Sequence, residues 1–274
     1  MRFDFIQNII NICRGKFLYL HEIASRYEML QQRKFFKNFI LGSSHPMFYQ
    51  ANEKELNLAT PSQDLYYSYC LYEKYGQKAE NIILTYSVFS KGLCLIKTNE
   101  IELCILLKEF FEIDYQFKDF AKKKKLYLLE PFYRIYINKY LKNPKSLRLR
   151  VAKDGEVQSM NFDSYIQERA KKHYKNYQRK LSQLVYIKKF IEKTKENNQK
   201  LILILPPVKK IYRETLPDGK KIFQHLYKSC SKYAHVLIYD FYNSNSFREE
   251  DFVDGDHLNA NGKLKLTEMV RAKI

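Results

Sequence analysis

Two short stretches supply side chains whose chemistries complement each other. The first, "LGSSH" at 41–45, ends an apolar run with Gly42 and follows it with Ser43, Ser44 and His45. The second, "VDGDHL" at 253–258, sets Asp254 three residues before His257. A serine hydroxyl is a weak nucleophile until a base takes its proton, and an imidazole is a good base only when a carboxylate on its other nitrogen holds the tautomer. Each stretch also has a plainer reading. Serine is a favoured helix N-cap and Pro46 suits a first helical turn; Asp-Gly is an ordinary turn that leaves a histidine exposed. The chemical reading gains from position, because one stretch closes a first strand and the other immediately precedes a last helix.

The elements that must carry these groups are legible as short apolar runs: Phe39–Leu41, Leu56–Ala59, Ile82–Tyr86, Leu201–Leu205 and His235–Phe241. They are too continuous for strands with one wet face, as expected of parallel strands covered on both sides. Helical periodicity intervenes, as at Leu181–Glu196, where Leu181, Leu184, Ile187 and Ile191 recur every three or four residues and Lys fills the other face. Asn259 is placed to cap a final helix carrying Leu266, Met269 and Val270. Alternating strands and helices predict an α/β fold around a parallel sheet. In such a sheet ligands bind beyond the carboxyl ends of the strands, where Ser44 would lie. A hydroxyl there, at the head of a helix, meets N–H groups that favour an oxyanion.

Three strands fall within the first 90 residues and the last two begin near residue 200. The interval from about 91 to 180 therefore reads as a helical, aromatic insertion into a single domain spanning 1–274. Its portion from Lys118 to Arg150 holds 11 Lys or Arg against 2 Asp or Glu, in a chain with a net charge of +18. The run reads either as a solvated face or as a basic lid or docking surface. Basic balance suits nucleic acid, an anionic membrane or an acidic substrate, and does not choose among them. The five cysteines, Cys13, Cys70, Cys94, Cys104 and Cys230, are odd in number and without a Cys-x-x-Cys pair, which favours reduced thiols over disulfides or a zinc site. The six histidines are scattered without ligand spacing, so no metal is expected. No segment approaches the ~20 apolar residues of a membrane span. The N-terminal "MRFDFIQNIINICRGKF" interrupts its apolar part with Asp4, Asn8 and Asn11 and lacks a small-residue cleavage site, unlike a signal peptide. A cytoplasmic protein, peripheral to a membrane at most, is the expectation.

"ILGSSH" resembles the first block of the SGNH/GDSL hydrolases, with the nucleophile at the serine matched by Ser44, and "DGDH" resembles their final Asp-x-x-His block. The resemblance implies Ser44 as nucleophile, His257 as base and Asp254 as its orienting partner. "NLATPSQD" is similar to the second block, Asn-x-x-x-x-Gly, and implies that the backbone N–H of Ser62 joins that of Ser44 in an oxyanion hole. "LILILPPVKKIY" and "DHLNANG" look like the branch containing bacterial polysaccharide and teichoic-acid acyltransferase-like proteins. The likeness covers roughly 35 to 90 and 180 to 274. Two departures stand out: Ser43 replaces the usual Asp, and "TYSVFSKG" replaces Gly-x-Asn-Asp after strand three, leaving Gln63, Ser87 and Ser90 as candidate third donors. Losing one oxyanion donor costs about a hundredfold to a thousandfold in rate.

The resemblance implies a flavodoxin-like three-layer α/β/α sandwich with a mainly parallel five-stranded sheet. It implies serine-dependent acyl transfer on a carbohydrate ester, by an esterase or an O-acetyltransferase, in modification of a bacterial surface polysaccharide. No permanent cofactor is expected, with acetyl-CoA or another acyl donor as co-substrate. His45 and Tyr212 are candidates to touch substrate, although His45 at a helix start would ordinarily face solvent. The competing reading is a protein of this fold, without competent chemistry, that binds an anionic glycan or membrane surface through its lysines. Nucleic-acid binding would leave Asp254 and His257 without a role.

Overall fold

The computed structural model describes residues 19–45, 52–98, 100–142, 162–180 and 182–274. The N-terminal stretch up to Phe17, Pro46, Leu181 and the end of the basic run beyond Lys142 lie outside the described residues. In chain order the strands are β1 Asn38–Leu41, β2 Glu55–Asn57, β3 Asn81–Thr85, β4 Lys200–Leu205 and β5 Val236–Asp240. The helices are α1 Leu20–Gln32, α2 Leu65–Leu71, α3 Ile101–Phe111, α4 Lys118–Lys123, α5 Leu126–Lys142, α6 Phe162–Tyr177, α7 Leu184–Glu196, α8 Lys210–Glu214, α9 Gly219–Cys230 and α10 Ala260–Arg271.

The chain divides into two compact units, one of residues 33–93 with 157–274, the other of 1–32 with 94–156. The first contains the sheet. Its five strands are all parallel, in the order β2-β1-β3-β4-β5. This is the flavodoxin-like order, which reverses direction between β1 and β3 and so opens a crevice beyond their carboxyl ends. Every residue of β1, β2 and β3 is buried, the apolar ones as predicted and the polar Asn38, Glu55, Asn57, Asn81 and Thr85 at the strand ends with them, whereas β5 at the edge is half-exposed. Alternate side chains reach opposite faces. Ile40, Ile83, Ile202 and Ile204 meet Leu266 and Val270 of α10 on one face. Against the other layer, Phe190 of α7 stacks on Tyr72, just after α2, with centroids 5.2 Å apart.

Asn259 caps α10 as the sequence predicts, its side chain accepting from the N–H groups of Asn261 and Gly262 at 3.0 and 3.1 Å. Helix α6 falls in the sheet-bearing unit although the sequence places it inside the insertion, and the unit boundaries lie at 94 and 156 rather than near 91 and 180. The second unit is helical: α1 and α5 both pack on α3, burying Leu20, Ile23, Leu103, Leu107, Tyr133 and Ile137. Among the described residues, Cys70, Cys94, Cys104 and Cys230 are thiols outside any disulfide, and burial pushes Cys70 and Cys230 up to about 11, which leaves them unreactive near neutrality. No helix among the described residues is long and apolar enough to cross a membrane.

Candidate functional site

The carboxyl end of β1 passes into Gly42, whose φ of 126° is open to glycine and strained for any side chain. That bend delivers Ser43, Ser44 and His45 into the crevice. The loop after β2 is fastened beside it, Thr60 N–H donating to the Gly42 carbonyl at 3.4 Å. From the other end of the chain, the loop between β5 and α10 closes on itself: Phe252 bridges Leu258, and Val253 N–H donates to the His257 carbonyl at 2.8 Å. One carboxylate oxygen of Asp254 accepts from the backbone N–H of Asp256 and His257, at 2.9 and 2.8 Å. The other accepts from His257 Nδ1 at 2.8 Å.

With Nδ1 donating to Asp254, Nε2 of His257 is the acceptor, and Ser44 Oγ stands 2.7 Å from it across 213 residues of sequence. Ser44, Asp254 and His257, paired from motifs at opposite ends of the chain, thus form one hydrogen-bonded line. Burial lowers the basicity of His257, but Asp256 and Asp254 outweigh it and the net shift is upward. Burial likewise raises Asp254, and the hydrogen bond from His257 reverses this, leaving it below the usual carboxylate range. The arrangement can take a proton from Ser44 and hold it between two anions.

The remaining sequence candidates sit differently. Ser62 occupies the turn after β2 with φ 59°, next to Gln63. Gln63 is held locally: one amide N–H donates to Ser68 Oγ at 2.9 Å and its carbonyl accepts from Thr60 Oγ1 at 2.9 Å. Ser90 Oγ accepts from Ser87 N–H at 2.9 Å, capping the turn after β3, and Ser87 Oγ lies 3.0 Å from His45 Nδ1. His45 is buried rather than turned to solvent, stacked on His257 with centroids 5.3 Å apart and on Phe89 at 6.0 Å. Tyr212 is also buried, its hydroxyl 2.8 Å from His173 Nδ1, and is not available to a substrate. Tyr212 is covered by His173 of α6, whereas His45 is enclosed by Ser87 and Phe89 from the loop after β3 and by Asp256 and His257.

That helix contributes groups the sequence reading does not single out. Arg169 pairs with Asp256, which is 2% exposed, and His173 Nδ1 lies 3.7 Å from the same carboxylate. Burial pushes Asp256 up, but the imidazoles of His173, His257 and His45 and the Arg169 guanidinium hold it well below the ordinary range. Burial lowers His45, and drives His173 down to about 4. The close approach is possible because Gly255 has no side chain: a Cβ there would stand 2.7 Å from Ile166 and 3.2 Å from Tyr212. A signal for this face exists in the sequence, since Ile166, Arg169, Ala170 and His173 recur at helical spacing and Ile166 and Ala170 are buried. The fold also brings His45, Asp256 and His257 together, with one nitrogen or oxygen of each within 4.8 Å of the others. Arg169 already holds Asp256 and Asp254 holds His257, so a cation there would have to displace a guanidinium.

No protein-family model matches the chain, and no curated protein matches it. Among solved structures it is similar to a protein from Desulfitobacterium hafniense assigned to the G-D-S-L lipolytic family, at 13% identity over 87% of this chain and 99% of that one, with a TM-score of 0.42. It is similar also to a protein from Bacteroides fragilis assigned as an acylhydrolase, at 12% identity over 90% of this chain and 92% of that one, with a TM-score of 0.42. Similarity at this level is too slight to transfer residue roles; the site rests on the chain's own geometry.

Proposed function

We propose that the chain is a serine-dependent acyl-transfer enzyme, and the observation that carries this is the 2.7 Å approach of Ser44 Oγ to a His257 whose other nitrogen is held by Asp254. His257 Nε2 takes the Ser44 proton as Oγ attacks an ester carbonyl. The tetrahedral oxyanion is met by the backbone N–H groups of Ser44 and Ser62, and collapse with proton return to the leaving alcohol gives an acyl-Ser44. Water then completes an esterase cycle, or a sugar hydroxyl an O-acyltransferase cycle. With these two backbone donors alone, turnover would be slower than in a three-donor enzyme by about a hundredfold. The resemblance to polysaccharide acyltransferase-like proteins supports a carbohydrate ester of a bacterial surface polymer as substrate. The basic balance of the chain supports an acidic glycan or a phosphate-bearing donor such as acetyl-CoA, in a cytoplasmic setting.

Labelling by a fluorophosphonate probe tests the reading. Ser44 is expected to carry the adduct, and because only neutral imidazole accepts its proton, the labelling rate should rise with pH through a midpoint above 6.5, in the direction of the His257 shift. A folded protein that resists the probe at every pH sinks the proposal.

One observation favours a second reading. Leu128, Phe132 and Ile135 lie three or four residues apart on α5, and all are exposed. Lys122, Lys123, Lys139 and Lys142 flank them along the chain. An apolar stripe bordered by cations suits the face of an anionic bilayer. Sedimentation with phosphatidylglycerol vesicles but not phosphatidylcholine vesicles, weakened by Phe132→Ser with Ile135→Ser, is the expected result if the second unit docks there; equal retention by both vesicle types removes this reading.

A further inference from the structure

Behind the line Ser44–His257–Asp254 stands a second, Ser87–His45–Asp256. His45 Nδ1 is 3.0 Å from Ser87 Oγ and its Nε2 is 3.4 Å from Asp256 Oδ2. The two imidazoles stack at an interplanar angle of 24°. Ser87 and Asp256 are both buried, so this line is closed to substrate. The proposed mechanism gives Asp256 no task, since Asp254 already fixes the His257 tautomer. Yet Asp256 Oδ1 lies 4.0 Å from His257 Nδ1, which places two carboxylates against one edge of one imidazole.

Two anions at that edge favour the imidazolium, and a base that is protonated before it meets substrate is no base. Arg169 is built into this balance. Its Nε and Nη2 sit on Asp256, Nη2 at 3.4 Å from Oδ2, while Nη2 also stands 3.3 Å from His257 Nδ1 and Nε 3.9 Å from Asp254 Oδ2. Since Nδ1 gives its proton to Asp254, the approach of Nη2 to Nδ1 sets one donor against another and opposes a positive charge on the ring. The charged or titratable groups facing His257 are Asp254 and Asp256 from its own loop, His45 from the loop after β1, and Arg169 and His173 from α6. Burial keeps the two flanking histidines neutral near neutral pH. The protonation of His257 is therefore set by two carboxylates against one guanidinium.

We propose that Arg169 and Asp256 are a positioning pair for the base: Asp256 stabilises the imidazolium formed when Ser44 is deprotonated, and Arg169 keeps that imidazolium from forming prematurely. The proposal rests on the reading of His257 as the base of Ser44. It demands shifts of opposite sign. Arg169→Gln removes the opposing charge and should raise the His257 midpoint by about one pH unit; Asp256→Asn removes an anion and should lower it by a similar amount, each consistent with a full charge 3–4 Å away in a partly screened site.

The test is an NMR titration of the imidazole resonances of the full chain, with His257 assigned by its absence in His257→Gln, so that no substrate is needed. Arg169→Lys keeps the charge and should restore the wild-type midpoint. Breaking a buried pair can prevent folding, so Asp256→Leu with Arg169→Met removes both charges together, an exchange that buried pairs often tolerate. In that variant His257 should titrate between the two single-variant values, or within about half a unit of wild type. Shifts of the same sign, no shift in either single variant, or Arg169→Lys behaving as Arg169→Gln would overturn the proposal. Resistance of Ser44 to fluorophosphonate alongside the opposed shifts would defeat the acyl-transfer reading and leave the pair's effect on His257 standing; ready labelling with unmoved titrations would defeat the pair alone.

Discussion

Replacing Ser44 with alanine is expected to lower kcat/KM for an activated acetyl ester by about 10⁴- to 10⁶-fold, and His257→Ala by a similar factor, with the double variant no slower than either alone. The physical reason is that the two side chains act as one unit. Without the base, Oγ keeps its proton at 2.7 Å from an empty position; without Oγ, the base has nothing to activate. What survives in each case is stabilisation by the N–H groups of the oxyanion site, which does not depend on either side chain. Steady-state rates of the three variants, each with the unfolding midpoint checked, measure this. Ser44 is half-buried and contributes one polar contact, so its loss should cost no more than about 1 kcal/mol of stability. Multiplied losses in the double variant would mean that Ser44 and His257 work independently, which the shared hydrogen bond does not allow. An undiminished rate in Ser44→Ala would place the nucleophile elsewhere.

How much of this was readable in advance follows from what local chemistry encodes. The strands announce themselves because a strand covered on both faces is mostly apolar, as Phe39–Leu41 and Leu201–Leu205 are, and β2, with Glu55 and Asn57 buried beside Leu56, shows this least. Gly42, Asp254 and Asn259 are legible because turns and caps depend on neighbours within three residues. Ser44 and His257 could be paired only through their complementary chemistry, their places at a strand end and before a last helix, and the likeness of two motifs, since nothing local in either reports the other. Arg169 was hidden for a different reason: in "RAKKHYKNYQRK" a cation reads as one more member of a wet lysine face. Its burial depends on α6 reaching the loop over Gly255, a long-range contact. Long-range contacts also overturn the expectation of a solvent-facing His45, which meets Ser87, Phe89, Asp256 and His257, and Asp256, flanked by two motif residues, was eclipsed by them. A buried carboxylate is recognised by its partners, and those come from α6 and from the loop after β1.

The other large effect concerns what holds the two ends of the chain in register. Glu55 of β2 is almost fully buried, and Arg271, on the last turn of α10, donates to its carboxylate at 2.7 Å, with Asn52 N–H at 2.9 Å and the Asn38 amide at 3.2 Å completing its shell. β2 neighbours β1, which leads into Ser44, and α10 begins one residue after Asn259, whose N–H ties the loop to the Asp251 carbonyl, so this pair clamps the two halves of the site. Arg271→Ala leaves Glu55 without its cation. Breaking a fully buried pair costs about 3–5 kcal/mol; Arg271 is about a third exposed, which brings the expectation to about 2 kcal/mol at pH 7. The pH dependence has a definite sign. Burial raises Glu55, but the hydrogen bonds from Arg271, Asn52 and Asn38 outweigh it, and its folded pKa lies below 4.5. A depressed carboxyl stabilises the fold above its unfolded pKa and ceases to do so as pH falls through its folded value. In Arg271→Ala the carboxyl can escape its isolation by taking up a proton, so the difference from wild type should be full at pH 7 and shrink below about pH 4.5. Urea unfolding of both proteins at pH 7 and pH 4 measures it. A deficit that is the same at both pH values would mean that Arg271 contributes through packing of its stem rather than through its charge, and Glu55→Gln, which needs no counter-ion, should then fail to relieve it.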